Sequence, residues 1–253
     1  MAIDETLLES AASESATATV RFYQFEQPTL SLGYRQRLEA RDHARLRNLG
    51  VSIVRRMTGG RSLLHQNELT YSVTAPTREL FQKRSVKQSY KHIREAIASA
   101  LRRLGAPIDE HGPSLPSTSL RAPARLPCLA VPTGHEIFSG GRKLVASAQR
   151  WRRTGFLQHG AILLRIDRAL CALVHELLEG DALGAVGLLD LRYPEIQERC
   201  LLSELTKAFE ALFHERPIRS GLTVTEAERS QALTEKYRSP SWLATNSTSE
   251  SGR

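Results

Sequence analysis

A glycine pair set between arginines is the first feature of this sequence that could do chemistry. Residues 55–61 read Arg-Arg-Met-Thr-Gly-Gly-Arg and follow VSIV, which has a β-strand pattern. Glycine adopts backbone angles that other residues avoid, so the motif predicts a tight turn with exposed amides. Such amides, together with guanidinium groups, suit a phosphate or a carbonyl-bearing ligand. A hairpin turn with solvated arginines explains the same residues, and both interpretations stay open.

A second glycine pair precedes a lysine and a run of small residues. Gly140 and Gly141 are followed by Arg142, Lys143 and the strand-like LVASAQ. The small side chains at 146–148 would let a ligand lie close to the backbone. A lysine that projects from such a strand into a cleft could polarise a carbonyl or stabilise a thiolate. A turn followed by a closely packed strand is the alternative.

The three cysteines differ in their surroundings. Cys171 and Cys200 lie in apolar helical patterns, so we predict that both are small core residues. Cys128 lies in Pro-Cys-Leu and on no periodic face, which leaves packing and nucleophilic catalysis equally open. A nucleophilic thiol needs a lowered pKa or a nearby base, and Lys143 could serve if the fold brings it close.

Three histidines lie in or beside predicted strands, at His65, His135 and His159. No His-x-x-x-His or Cys-x-x-Cys spacing accompanies them, so we expect no metal site. His159 is expected to make a hydrogen bond or to line a cleft. Asp4 and Glu68 are the acids that we expect to orient neighbouring groups or to cap elements.

The elements that must position these residues are strands and helices without regular βαβ alternation. Strands are predicted at 19–25, 29–33, 51–56, 62–66, 69–75, 135–139, 142–149, 153–159 and 161–166, and helices at 1–12, 36–49, 86–105, 167–179 and 200–214. A Pro- and Ser-rich loop is predicted at 107–127. The pattern indicates one α+β domain over 1–238, with a mostly antiparallel or mixed sheet flanked by helices. We expect the polar stretch at 239–253 to be a disordered tail.

Composition excludes several classes of protein. The 253 residues are 41% hydrophobic and 25% charged, which is typical of a globular chain and not of wholesale disorder. There is no apolar run of about 18 residues and no basic, apolar signal segment, and three cysteines do not make a disulfide framework. These features predict a cytoplasmic protein. A net charge of +8 favours acidic partners, either nucleic acid or an acidic protein, and no nucleic-acid-binding motif accompanies it.

Taken in chain order, these segments resemble the biotin/lipoate protein ligase catalytic family. The family's first helix is similar to MAIDETLL, and its next strand pair is similar to RFYQFEQPTLSLGYRQ. Its arginine–glycine–glycine ligand loop and the following strand are similar to VRRMTGGRSLLHQNELTYSV. Its conserved-lysine strand and Gln-His-Gly strand are similar to GRKLVASAQRWRRTGFLQHGAILL. The matching pieces run from residue 1 to about residue 166, and the resemblance implies the fold of that family.

Two branches of that family differ in chemistry. Ligases adenylate lipoate with ATP and use no cysteine, whereas octanoyltransferases form an acyl thioester on a cysteine and need no ATP. Here a cysteine stands fifteen residues before the lysine. The interval resembles the cysteine-dependent branch, which reads Cys…Pro…Glu…Gly-Arg-Lys. The positions that match are Cys128, Pro132, Glu136, Gly141, Arg142 and Lys143.

The resemblance implies an octanoyltransferase of protein lipoylation with Cys128 and Lys143 as catalytic residues. The Lys143 ammonium would stabilise the thiolate, which attacks octanoyl-acyl carrier protein. A lysine of a lipoyl-type domain, in glycine-cleavage H protein or a dehydrogenase E2, would then accept the octanoyl group. We expect no cofactor, no nucleic-acid or membrane partner, and a monomer. The residues expected to shape the binding cleft are Arg56, Thr58, Gly59, Gly60, His65, Ala146, Ser147, Ala148, His159 and Gly160.

Two alternatives stay open. In an ATP-dependent lipoate–protein ligase, the arginine–glycine–glycine loop and Lys143 would hold lipoyl-AMP, ATP and magnesium would be needed, and Cys128 would be incidental. A non-catalytic family member would bind acyl carrier or lipoyl domains. Departures from the family's pattern motivate this last reading: Ala146 replaces a glycine, and Leu129, Ala130 and His135 replace an aromatic residue, an acid and a tyrosine.

Overall fold

The computed structural model describes residues 1–13, 16–77, 85–111, 136–177, 184–191 and 198–244. Its helices are α1 (Ala2–Ser10), α2 (Ala40–Asn48), α3 (Val86–Arg103), α4 (Arg168–Leu177), α5 (Glu198–Phe213), α6 (Val224–Arg238) and α7 (Pro240–Ala244). Its strands are β1 (Thr19–Tyr23), β2 (Thr29–Leu32), β3 (Ser52–Arg55), β4 (Leu63–His65), β5 (Glu68–Pro76), β6 (Ile137–Ser139), β7 (Arg142–Trp151) and β8 (Gly155–Leu163). None of the helices in these ranges has the length and apolar character that crossing a membrane requires.

A five-stranded antiparallel sheet forms the centre, in the order β1-β5-β8-β7-β6. The sequence of strand β5 explains why this sheet forms, because its side chains alternate between apolar and polar. Leu69, Tyr71 and Val73 enter the main core, while Thr70 and Ser72 point to the opposite face. The predicted α+β fold with a mostly antiparallel sheet and flanking helices is confirmed.

Helix α3 covers the core face of this sheet. Ser85 caps its first turn by accepting a hydrogen bond from the amide of Gln88, and Ile93, Ile97 and Leu101 form a buried stripe. The stripe joins the same core as β5, and α5 packs beside α3 on it. The sequence prediction placed both helices correctly.

A smaller sheet lies beside the first, in the order β3-β2-β4. Strand β2 is central, parallel to β3 and antiparallel to β4. The segment at 56–62 therefore crosses the end of β2 from one edge strand to the other. The hairpin interpretation of the Arg-Gly-Gly motif is wrong, because β3 and β4 never pair with each other.

The carboxy-terminal part of the described chain differs most from the prediction. Helix α6 was not predicted, although a capping box between Thr223 and Glu226 starts it. Glu5 of α1 anchors it by accepting hydrogen bonds from Lys236 at 2.8 Å and Tyr237 at 2.9 Å. The disordered tail predicted from residue 239 is wrong for Pro240–Ala244, which form α7, and residues 245–253 lie outside the described residues.

Two smaller corrections concern β8 and Cys200. The two pieces predicted at 153–159 and 161–166 form the single strand β8. Gly160 lies at its centre because a Cβ there would lie 2.2 Å from the Ala146 carbonyl oxygen of the neighbouring strand. Cys200 is exposed on α5 and is not a core residue. Cys171 is buried as predicted, and burial raises the pKa of its thiol to about 11.

Candidate active site

A cavity of about 380 Å³, including its open mouth, is lined by residues of both sheets. Seven of the predicted cleft residues line it: Arg56, His65, Ala146, Ser147, Ala148, His159 and Gly160. The other three, Thr58, Gly59 and Gly60, belong to the same loop as Arg56 and are not among the described lining residues. The structure therefore gathers predicted residues from three separate strands, β4, β7 and β8, and one loop at a single cavity.

Arg56 holds the Arg-Gly-Gly loop in place. Its Nε donates to Thr58 Oγ1 at 3.1 Å, and its Nη1 donates to the carbonyl and hydroxyl oxygens of Ser31 at 3.0 and 3.1 Å. Its Nη2 donates to the carbonyls of Gly59 at 3.0 Å and Arg61 at 2.6 Å. A guanidinium group has five N–H donors, and all five bond to the protein. Arg56 thus brings positive charge to the cavity but no spare donor.

Arg55 joins the same loop to the end of the described chain. It is 1% exposed, and its Nη1 donates to three carbonyls in the 33–36 segment at 2.6–3.0 Å. Its Nε and Nη2 donate to the carbonyls of Trp242 and Leu243 at 2.6–3.3 Å. Burial lowers the pKa of this guanidinium group. The hypothesis that Arg55 and Arg56 donate to a phosphate is wrong for their N–H groups, which bind the protein itself.

His159 is held between Asp4 and Thr58. The ring Nδ1 lies 3.4 Å from Asp4 Oδ2, and Nε2 lies 2.7 Å from Thr58 Oγ1. Burial lowers the pKa of His159 more than Asp4 raises it, so the ring is neutral near pH 7. Burial would raise the pKa of Asp4, but the hydrogen bond from His159 and the charges of the amino terminus and Arg21 hold it below its usual range. Because a carboxylate only accepts, Nδ1 carries the proton and Nε2 accepts from Thr58.

His65 is held in the same way on the opposite wall. Its Nδ1 contacts the carboxylate of Glu68, and its Nε2 lies 2.8 Å from Ser31 Oγ. Glu68 is itself fixed, because it accepts hydrogen bonds from the amide of Gln66 at 2.9 Å and from Thr70 Oγ1 at 3.0 Å. The predictions that Asp4 and Glu68 orient neighbouring groups are both confirmed.

These hydrogen bonds join into one continuous chain around the cavity. In order, its members are Asp4, His159, Thr58, Arg56, Ser31, His65 and Glu68. The chain starts on α1, passes through both sheets and ends on β5, so it fixes the walls relative to each other. Sequence analysis missed Ser31. The available signal was a small polar residue inside the otherwise apolar strand TLSL.

Lys143 lies on β7 and forms a buried ion pair. Its Nζ lies 2.8 Å from Glu136 Oε1, and the two side chains are 1% and 3% exposed. A bulge shifts the register between β6 and β7, and the consecutive residues Leu144 and Val145 both enter the main core. This interruption of the alternation places Lys143 on the same face of the sheet as Ala146.

Lys143 is not among the described residues that line the cavity. At about 3.3 Å per residue, no more than about 10 Å of strand separates it from Ala146, which is a lining residue. Cys128 lies outside the described residues, as do His135 and most of the predicted loop at 107–127. The pairing of Cys128 with Lys143 therefore stays a prediction.

The second glycine pair forms the turn between β6 and β7. Gly140 and Gly141 have φ angles of +56° and +72°, which favour glycine. The carboxylate of Asp109 accepts hydrogen bonds from both amides, at 2.9 and 2.8 Å. The turn interpretation of this motif is confirmed. Within the described part of the chain, no group of three or more His, Cys, Asp or Glu residues is arranged to hold a metal ion.

Comparisons with known proteins identify the family. The model of the lipoyl protein ligase A/B catalytic domain matches residues 1–182. An octanoyltransferase, LipM, of Moorella thermoacetica is 34% identical over 253 residues, which cover 96% of this chain and 92% of that protein. LipM of Staphylococcus aureus is 31% identical over 261 residues, covering 96% and 92%.

Solved structures agree on the fold. Lipoate-protein ligase A bound with ATP gives a TM-score of 0.75 at 21% identity, covering 96% of this chain and 92% of its own. The bipartite lipoate protein ligase of Thermoplasma acidophilum gives 0.72 at 17% identity, covering 98% and 92%. On the family match and the near-full-length relatives, the chain belongs to the lipoyl protein ligase A/B catalytic domain family.

Proposed function

We propose that this protein is an octanoyltransferase of protein lipoylation. It moves an octanoyl group from octanoyl-acyl carrier protein to a lysine of a lipoyl-type domain. The observation that carries the proposal is the similarity, over 96% of the chain, to proteins named octanoyltransferase. The cavity supports it, since Leu63, Ala146 and Ala148 give it walls that suit an alkyl chain. Each buried methylene is worth about 0.8 kcal/mol, so the depth of such a cavity can select chain length.

The reaction proceeds through a thioester on Cys128. The Lys143 ammonium, held in place by Glu136, stabilises the Cys128 thiolate and then the oxyanion that forms on the acyl carbonyl. The thiolate attacks the thioester of the carrier, whose thiol leaves. The amine of the acceptor lysine then attacks the octanoyl-enzyme. Division of one acyl transfer into two steps is the usual advantage of covalent catalysis.

Intact-protein mass spectrometry tests this proposal. After mixing with octanoyl-acyl carrier protein, the wild-type chain should gain the mass of one octanoyl group, and hydroxylamine should remove it. Cys128→Ser should show no hydroxylamine-sensitive adduct. Absence of an adduct on the wild-type chain, or a hydroxylamine-resistant one, would contradict the thioester route. ATP-dependent transfer of free lipoate that persists in Cys128→Ser would instead support a ligase, and acceptor binding without acylation would support a non-catalytic protein.

An acidic carrier protein has a suitable docking surface next to the Arg-Gly-Gly loop. We call this surface the basic patch, and it consists of the exposed residues Arg35, Arg37, Arg41, Arg45 and Arg47. The amide of Tyr34 donates to the carbonyl of Thr58 at 2.9 Å, so the start of the patch lies against the loop. Of the two acids in this stretch, Glu39 pairs with Arg41 and Asp42 is buried. The remaining positive charge favours an acidic partner and speeds encounter.

Reversal of charge in the basic patch should weaken carrier recognition. In Arg35→Glu/Arg37→Glu, we expect KM for octanoyl-acyl carrier protein to rise about tenfold at low salt, and the difference should shrink as salt screens the charges. Steady-state kinetics over a salt series measures this. Lys91→Glu/Arg102→Glu, on exposed α3 positions, changes the net charge equally and should leave KM unchanged. Equal effects of the two double variants would rule out the patch as the docking surface.

A further inference from the structure

Ser31, His65 and Glu68 form a hydrogen-bonded line that begins at the cavity wall and ends inside the protein. We propose that this line accepts the proton that the acceptor lysine amine releases during octanoyl transfer, with Ser31 as the group that contacts the amine and His65 as the base. The inference rests on the proposed octanoyltransferase function. It assigns a role in the second half-reaction to residues other than Cys128 and Lys143.

The geometry of the line suits proton transfer. Ser31 and His65 both line the cavity, whereas Glu68 lies behind them. Ser31 Oγ is 2.8 Å from His65 Nε2, and Glu68 accepts from His65 Nδ1. Ser31 Oγ also lies 3.4 Å from the Leu63 carbonyl. The hydroxyl proton can therefore point to a neutral His65 or, once His65 is protonated, turn to Leu63, and the hydrogen bonds are satisfied in both states.

Two other polar groups near the cavity are less suited to accept this proton. Lys143 is ion-paired with Glu136, and an ammonium group has no lone pair to receive a proton. His159 uses Nδ1 for Asp4 and Nε2 for Thr58. The His159 ring itself lines the cavity, but Thr58 is fully buried and is not a lining residue, so the hydroxyl partner of His159 Nε2 does not face the cavity. Of these two histidines, His65 is the one whose hydroxyl partner, Ser31, lines the cavity.

The charges around His65 come from several elements. The Glu68 carboxylate on β5 stabilises a protonated His65 ring. The positive charge of Arg56, which donates to Ser31 from the end of β3, disfavours that protonated ring. Further groups facing the same cavity are Tyr23 on β1, Arg61 on the loop and His159 on β8. Glu68 is the carboxylate in direct contact with the His65 ring, so it is the group that stabilises the imidazolium most directly.

The step balances without a further reactant. The amine nitrogen bonds to the thioester carbonyl carbon, the carbon–sulfur bond breaks, and its electron pair leaves on the Cys128 sulfur. One amine proton passes to Ser31 Oγ as the hydroxyl proton of Ser31 passes to His65 Nε2. The imidazolium then loses its proton to water, which restores the line for the next turnover.

Single-turnover kinetics separates the two half-reactions. Octanoyl-enzyme is formed with octanoyl-acyl carrier protein, freed of carrier and mixed with a lipoyl domain, and intact mass is followed over time. In His65→Gln, we expect transfer to fall about 100-fold, as for loss of a general base, and octanoyl-enzyme formation to fall much less. Ser31→Ala, a smaller change that leaves His65 and Glu68 in place, should slow transfer in the same way.

Glu68→Gln tests the inner end of the line. The His65 ring then loses its anionic partner, so octanoyl transfer should slow much more than octanoyl-enzyme formation. His92→Gln, at an exposed position on α3, is the matched control and should keep both rates.

The possible failures can be told apart. A wild-type chain that forms no octanoyl-enzyme would contradict the proposed function, and the proton relay with it. Octanoyl-enzyme that forms normally and transfers at the wild-type rate in His65→Gln or Ser31→Ala would overturn the relay alone. Equal slowing of both half-reactions in both variants would also overturn it, since that result indicates a damaged cavity.

Discussion

Replacement of Lys143 by alanine is expected to slow alkylation of Cys128 by iodoacetamide at least about tenfold near neutral pH. The reason is that the thiolate reacts, and loss of a stabilising ammonium that raises the thiol pKa by one unit lowers the thiolate fraction about tenfold. The rate is measured by intact mass spectrometry of the native protein in a Cys200→Ser background, because Cys200 is exposed and would also be alkylated. Equal rates in Lys143→Ala and the wild-type chain would refute thiolate stabilisation by Lys143.

The buried ion pair requires a control for stability. Lys143→Ala leaves the Glu136 carboxylate buried without its 2.8 Å partner, and a broken buried pair costs about 3–5 kcal/mol of unfolding free energy. Lys143→Met/Glu136→Gln removes both charges, so thermal stability should recover while alkylation stays slow. Glu136→Gln alone keeps the ammonium and removes its competing anion, so alkylation should not slow. This opposite outcome in the two single variants distinguishes electrostatics from a general loss of structure.

Gly33→Ala is expected to destabilise the protein by about 3 kcal/mol, which for a chain of this size lowers Tm by about 6–12 °C. A Cβ at this position would lie 1.9 Å from the carbonyl oxygen of Gly60, which is backbone and cannot rotate away. Movement of the loop away from Gly33 would cost hydrogen bonds, because Arg56 holds the carbonyls of Gly59 and Arg61 on either side of Gly60. Differential scanning calorimetry measures the change.

Gly59→Ala is the matched control for stability. A Cβ at Gly59 would meet nothing within 4 Å, and Gly59 has no positive φ angle. Its effect should stay within about 0.5 kcal/mol, as for an ordinary surface substitution, so Tm should change by about 2 °C at most. If both variants lowered Tm equally, the close approach of Gly33 and Gly60 would not be the cause.

Periodicity in the sequence was sufficient for most elements of the fold. The alternation Leu69-Thr70-Tyr71-Ser72-Val73 predicted β5, and the 86–105 pattern predicted α3, because a side chain's face depends on its own element's geometry. The same local logic explains the failures. Helix α6 has no clear apolar stripe, and its capping box was the available sign. The bulge that interrupts the alternation at Leu144 was not predicted from the sequence.

By itself the sequence identified, from residue type and order, candidates that the structure places at or near one cavity: His65, His159, the Arg-Gly-Gly segment and the lysine strand. Tertiary structure alone decided which hydrogen-bond partners these residues have. Arg55 and Arg56 face the protein's own carbonyls, and Asp4 meets His159 from 155 positions away. A polar group's partner depends on which distant strands the packing brings within about 3 Å, and no local pattern encodes that choice.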